Sequence, residues 1–65
     1  MSLPVQIKRV QRSLDKMEYG GGTPDFSIDK CCDYIAWLAR FHKVPEEVWQ
    51  PMCEQATRIL ENKLI

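Results

Sequence analysis

Four side chains could bind a metal ion or act in catalysis: Cys31, Cys32, Cys53 and His42. Zinc modules separate paired cysteines by two to four residues, and no pair here has that spacing. On a helix, the adjacent Cys31 and Cys32 diverge by about 100°, which makes joint chelation difficult. All three cysteines fall on apolar arcs, and His42 has no partner that would complete a catalytic arrangement. We therefore interpret the cysteines as reduced core residues, and we predict no catalytic, metal or cofactor site.

A second group with possible chemistry is a set of cations that repeats along one side of the first predicted helix. These residues, called the basic face below, are Lys8, Arg9, Arg12 and Lys16. The spacing i, i+4, i+8 puts three of them on one line, where like charges destabilise a helix slightly. They could bind an acidic partner or a nucleic acid. The favoured interpretation is a solvated face whose charge is eased by Asp15 and Glu18.

Composition narrows the function classes. The chain has 65 residues, nine basic and nine acidic, so its formal net charge is zero, whereas a protein that binds phosphate backbones normally has a basic excess. Hydrophobic residues make up 45%, which is typical of one folded domain. The chain has no apolar run long enough to cross a bilayer and no secretory signal, and three cysteines do not suit a secreted disulfide framework. We therefore expect a cytoplasmic protein with no membrane partner.

The predicted elements are all helical. A helix is expected over about residues 3–19, because apolar residues recur at steps of three and four. These residues are Leu3, Ile7, Val10, Leu14 and Met17. Three glycines and a proline in 20–24 then form a linker that is expected to be mobile or to turn sharply. It is the stretch that could swing the first helix towards another subunit.

The second helix is predicted over about residues 27–42, with more apolar surface than one stripe requires. Its main arc contains Ile28, Cys31, Cys32, Ile35, Leu38 and Ala39. Beside it, Tyr34, Trp37 and Phe41 at i, i+3, i+7 form what we call the aromatic strip. A three-helix bundle has no fourth helix to cover this strip, so we predict it as an interface for a protein partner or a second copy. The alternative is that the first helix covers it as core.

A third helix is predicted over about residues 51–63. Residues 45–49 form either a separate turn or the first part of one helix kinked near Pro51. Its apolar stripe contains Trp49, Met52, Cys53, Ala56, Ile59, Leu60 and Leu64. The predicted fold is an all-α, single-domain, three-helix bundle. Ile35 and Leu60 are the core positions where truncation should be costliest, by about 2–5 kcal/mol.

The stretch from Leu38 to Met52 resembles the helix-turn-helix family of DNA-binding proteins. Leu38 and Ala39 precede the turn and Val44 follows it, as in that family. The resemblance implies a nucleic-acid-binding regulator. However, Lys43 stands where the family prefers glycine, and Glu46 and Glu47 stand where the recognition helix should donate to bases. Nucleic acid is therefore the less favoured partner.

A second resemblance covers about half of the chain. His42-Lys43-Val44 followed by Glu47 and Trp49 resembles small all-helical early-region proteins of lambdoid phages. It implies a phage or bacterial accessory protein that acts by binding a partner protein. Taken together, these features predict a non-enzymatic protein-interaction or regulatory module, with homodimerisation expected from the aromatic strip and the small core.

Overall fold

A computed structural model describes residues 2–63 and places three helices in the predicted order. The first, α1, spans Leu3–Tyr19, after an extended Ser2 and with Pro4 in its first turn. It ends where the Gly20 amide donates to the Lys16 carbonyl at 2.9 Å, with Gly20 at φ +87°. This left-handed φ suits glycine because glycine has no Cβ to clash.

The linker between α1 and α2 turns sharply and is tied to α1 at two points. Gly21 and Gly22 also have positive φ, +103° and +131°. The Lys16 ammonium donates to the Thr23 carbonyl at 3.4 Å, and the Phe26 amide donates to the buried Ser13 hydroxyl at 3.2 Å. The glycines therefore let the chain reverse, and the two bonds hold it close to α1.

Helix α2 spans Ile28–Phe41 and has a cap at each end. The Ser27 side chain accepts from the Lys30 amide at 3.3 Å, which satisfies one free donor of the first turn. At the other end Lys43 adopts φ +50°, and the Val44 amide donates to the Leu38 carbonyl at 3.2 Å. Lysine thus takes the left-handed conformation in which helix ends favour glycine.

Helix α3 spans Glu46–Lys63 as one helix that contains Pro51. It begins where the Val48 and Trp49 amides donate to the Pro45 carbonyl at 2.9 and 3.2 Å. The start predicted near residue 51 is therefore corrected to Glu46, and residues 45–49 are not a separate turn. Pro51 is exposed and lies in the second turn, so the helix loses a single backbone bond there.

The predicted all-α three-helix bundle is confirmed: each helix contacts the other two, and residues 2–63 contain no strand. One apolar cluster lies between them. Its buried members are Val10, Leu14, Ile28, Cys31, Ile35, Met52, Ala56 and Ile59. Within the same residues, no helix combines the length and apolarity needed to span a bilayer.

Two core predictions on α3 are wrong. Leu60 is 37% exposed and Cys53 is exposed, whereas both were expected on the core stripe. Each follows a buried residue, Met52 or Ile59, by one position and is therefore turned about 100° away from it. The buried side of α3 includes Gln55. The centre of this buried side therefore lies roughly 60° around the helix axis from the centre of the apolar stripe predicted from the sequence. Leu64 lies outside the described residues.

We predict that Ile35→Ala and Leu60→Ala differ widely in cost. Ile35 is 4% exposed, so its truncation leaves a cavity and should lower the free energy of unfolding by about 2–5 kcal/mol. Leu60→Ala should cost about 1 kcal/mol or less, because much of that side chain already contacts water. Urea unfolding measures both values. Equal losses would mean that Leu60 belongs to the core.

Lys43→Gly should stabilise the protein. A left-handed conformation costs a non-glycine residue roughly 1–2 kcal/mol, and glycine avoids this cost. Glycine also has more conformational freedom in the unfolded chain, which lowers the free energy of unfolding and offsets part of the gain. The expected net gain is about 0.5–1 kcal/mol in urea unfolding. The matched control is Lys8→Gly, which places glycine inside α1 and should cost about 1 kcal/mol. A loss of stability at both positions would contradict a left-handed Lys43.

Candidate interaction surface

The aromatic strip lies along one side of α2, and its exposure increases towards the C-terminus of the helix. Tyr34 is half-buried and packs against the core cluster. Trp37 is 39% exposed and Phe41 is 75% exposed. Neither predicted arrangement describes the whole strip: Tyr34 is partly core, whereas Trp37 and Phe41 present apolar surface to solvent.

A row of four rings contains two members of the aromatic strip, Tyr34 and Trp37. The ring centroids of Phe26 and Tyr34 lie 5.3 Å apart, and Tyr34 meets Trp37 edge-on at 5.5 Å. Trp37 meets His42, which caps α2, at 4.2 Å with an interplanar angle of 72°. Edge-to-face contacts of this kind add to the stabilisation that burial provides. The row therefore holds Trp37 in one orientation before any partner arrives.

An open cavity of about 330 Å³ adjoins this row and is lined by Lys30, Asp33, Tyr34 and Trp37. Its apolar walls are the two rings, and a cation and an anion lie at its edge. Apolar depressions with a few polar groups are typical of recognition surfaces. The cavity therefore extends the exposed part of the aromatic strip along α2.

The basic face is only partly available to a partner. The Arg9 guanidinium lies 3.8 Å from the Asp25 carboxylate and stacks 5.2 Å above the centroid of the Phe26 ring. Lys16 bonds to the linker, as described above. Lys8 and Arg12 are exposed. Two of the four cations thus contribute to holding the linker against α1, and two remain on a solvated surface.

The three cysteines and His42 differ widely in burial. Cys31 is buried, Cys32 is half-buried and Cys53 is exposed, while His42 lies at the end of α2. Burial, and secondarily the neighbouring Cys32 thiol, raises the pKa of Cys31 to about 11, so this thiol is a poor nucleophile at neutral pH. Residues 2–63 contain no group of three or more potential ligands that could hold a metal ion.

The helix-turn-helix resemblance corresponds to α2, the turn at 42–45 and α3. Glu46 and Glu47 are exposed in the first turn of α3, where a reading helix would meet DNA. The helix dipole stabilises carboxylates at this position, and the same carboxylates repel phosphate. Lys43 in this turn has a positive φ although it is not glycine, and the first turn of α3 that follows it carries two carboxylates.

Sequence reasoning missed a polar network that attaches α1 to α3. Gln55 is 6% exposed; its oxygen accepts from Gln11 at 2.7 Å and its amide nitrogen donates to Asp15 at 2.9 Å and Glu18 at 3.1 Å. The Arg58 guanidinium also donates to Glu18, at 3.1 Å. Gln55 stands three residues after Met52 and four before Ile59, so its spacing is compatible with the core side of α3, but spacing alone does not show that a polar residue there has partners.

No protein-family model matches the chain, and neither a curated protein nor a solved structure matches it. The resemblances to helix-turn-helix proteins and to early-region proteins of lambdoid phages are not tested by this result and stay predictions.

The network gives acid-dependent stability at Glu18. Hydrogen bonding to Arg58, then to Tyr19, lowers the pKa of Glu18 below its ordinary value of 4.5. A lowered pKa in the folded state stabilises the protein above the unfolded pKa, and this contribution is lost as pH falls through the folded value. Glu18→Gln should therefore lower Tm at pH 7, and the difference from the parent protein should shrink below about pH 4.5.

Thermal melts monitored by circular dichroism between pH 7 and pH 3 check this expectation. The matched control is Glu61→Gln, which removes one exposed glutamate carboxylate by the same substitution at another position. Its effect on Tm should be small at every pH. A difference between Glu18→Gln and the parent that stays constant over the whole range would contradict the role of the Glu18 charge.

Proposed function

We propose that this chain is a non-enzymatic protein-interaction or regulatory module that binds a protein partner, or a second copy as a homodimer, through the aromatic strip. The observation that carries the proposal is the exposure of Phe41 and Trp37, 75% and 39%, on neighbouring turns of one helix. Apolar aromatic surface of this kind is enriched at protein interfaces. Burying one such side chain contributes roughly 1.5–3 kcal/mol to association.

Preorganisation favours this surface over the other exposed apolar residues. Trp37 is held between Tyr34 and His42, so binding would cost it little rotational freedom. Its neighbour Phe41 is in the last turn of α2, next to a cap that fixes the helix end. By contrast, Val5 and Tyr19 are exposed singly on α1, which is normal for a soluble surface.

Nucleic acid is the less favoured partner. Arg9 and Lys16 already bind groups of the linker, and Glu46 and Glu47 place negative charge at the start of α3. A reducing compartment such as the cytoplasm suits the three free cysteines. A binding role rather than a catalytic one agrees with a surface whose exposed features are rings and solvated charges.

Phe41→Ala should weaken association with little change in stability. Phe41 is mostly exposed in the free chain, so its removal should change Tm little, whereas an interface would lose roughly 1.5–3 kcal/mol, or about tenfold to a hundredfold in affinity. Light scattering over a range of concentrations measures self-association. Capture from extracts of the native host by the immobilised protein measures partner binding.

Tyr19→Ala is the matched control, because Tyr19 is also 75% exposed but lies on α1. It should leave association unchanged. If both variants behave like the parent chain, or if both lose association equally, the aromatic strip is not the interface. A shift of generic duplex DNA at low salt that requires Lys8 and Arg12 would favour the nucleic-acid alternative instead.

A further inference from the structure

A second apolar depression lies on the other side of α2, between α2 and α3. This α2–α3 groove encloses about 230 Å³; the buried Ile35 and Ala56 line it together with Cys32, Ala36 and Ala39 of α2 and Trp49, Cys53 and Thr57 of α3. At 100° per residue, its α2 wall lies roughly 160° around the helix from the aromatic strip. The two surfaces are therefore separate, and one partner surface could not cover both by lying flat on α2.

The shape of the groove suits a bulky apolar side chain. Six of the eight residues that line it are alanine, cysteine or threonine, and these small side chains leave space between the two helices. Trp49 is half-buried and forms one wall. Leu60, three residues beyond Thr57 and 37% exposed, extends the apolar edge of α3. Such a trough between two helices has the form in which grooves accept amphipathic helices.

The charge around the groove is predominantly negative. Asp29 is exposed on the α2 side, three residues before Cys32, and Asp33, which also lines the cavity beside the aromatic strip, lies one residue after Cys32. Glu46 and Glu61 are exposed on the α3 side, seven residues before Cys53 and four after Thr57. Arg40, four residues after Ala36, is the cation on this edge of α2.

The pKa of the Cys32 thiol responds to the same carboxylates. Its pKa is raised, first by burial and then by the nearby Cys53 thiol and the Asp29 and Asp33 carboxylates. Every charged neighbour that contributes to this shift is therefore anionic. A ligand that enters the groove passes these carboxylates, which favour a cationic approach.

We propose that the α2–α3 groove binds a basic amphipathic helix of a partner protein. An apolar side chain of that helix enters the groove, and flanking lysines or arginines lie against the carboxylates of the rim. A helix from a second copy fits less well: the main apolar arcs of α1, α2 and α3 are packed inside the bundle, and α2, which carries the exposed aromatic strip, has two carboxylates, Asp29 and Asp33, against two cations. The proposal is independent of the aromatic strip.

The alkylation rates of the cysteines show whether a peptide covers the groove. Cys53 is exposed and Cys32 half-buried in the groove, whereas Cys31 is buried in the core and serves as an internal reference for folding. The probe is a synthetic peptide of ~18 residues built on alanine, the best helix former, with leucine at i, i+3, i+7 as its apolar stripe and lysines placed only beside that stripe. The control peptide has glutamate in place of lysine. Alkylation of each thiol is followed by mass spectrometry.

The leucine–lysine peptide should slow alkylation of Cys53 and Cys32 about tenfold at ten times its Kd, and higher salt should reduce the effect. The leucine–glutamate peptide should give no protection. Ala36→Trp, a substitution at an exposed position that fills the groove, should abolish protection, whereas Phe41→Ala should leave it intact. This last variant separates failure of the groove from failure of the aromatic strip.

Three results would overturn the proposal. Equal protection by both peptides would remove the role of the acidic rim. Protection that survives Ala36→Trp would place the peptide elsewhere. Protection that rises with protein concentration in the absence of peptide would assign the groove to a second copy of the chain.

Discussion

The position of α1 depends on one buried amide. Gln55 lies on the core side of α3 and uses both ends of its side chain to bind α1, through Gln11, Asp15 and Glu18. A buried amide that lost these partners would cost roughly 1–3 kcal/mol for each unsatisfied group, so other registers of α1 on α3 are penalised. Apolar packing alone tolerates sliding of one helix along another, whereas this network specifies a single register.

With α1 fixed in this way, the exposed surface of α2 follows. The Phe26 amide bonds to Ser13 of α1, and Arg9 stacks on the Phe26 ring, so the segment before α2 is held against α1. Tyr34 then packs on Phe26 and becomes partly buried. Trp37 and Phe41, one and two turns further along, extend beyond this cover. The gradient of exposure along the aromatic strip is thus a consequence of where α1 and its linker lie.

The sequence predicts the elements of this fold better than the sides on which they pack. Periodic apolar residues and the glycines after Tyr19 identify the helices and the break between them from local preferences, which act within one or two turns. The exposure of Leu60 and Cys53 does not follow from such local preferences. It follows from the burial of Gln55, a polar residue that turns the opposite side of α3 towards solvent. Its hydrogen-bonding partners are 37 to 44 residues away along the chain. Periodicity cannot indicate which polar side chain will find such partners, so it placed the buried stripe of α3 roughly 60° too far round.

A net charge of zero conceals a separation of charge between the helices. α1 carries four cations and two anions, whereas α3 carries four anions and two cations. The fold uses them unequally: Arg9 and Lys16 bind the linker, and Glu18 pairs with Arg58 across the α1–α3 contact. Glu46 and Glu61 of α3, within two turns of the groove residues Cys53 and Thr57 along the helix, are exposed instead. Two of the cations of α1 therefore bind other groups of the bundle, whereas Glu46 and Glu61 of α3 remain at its surface. A chain that is neutral on average thus presents exposed carboxylates beside an apolar depression, and this separation of charge is the physical basis on which we propose a basic protein partner for the groove.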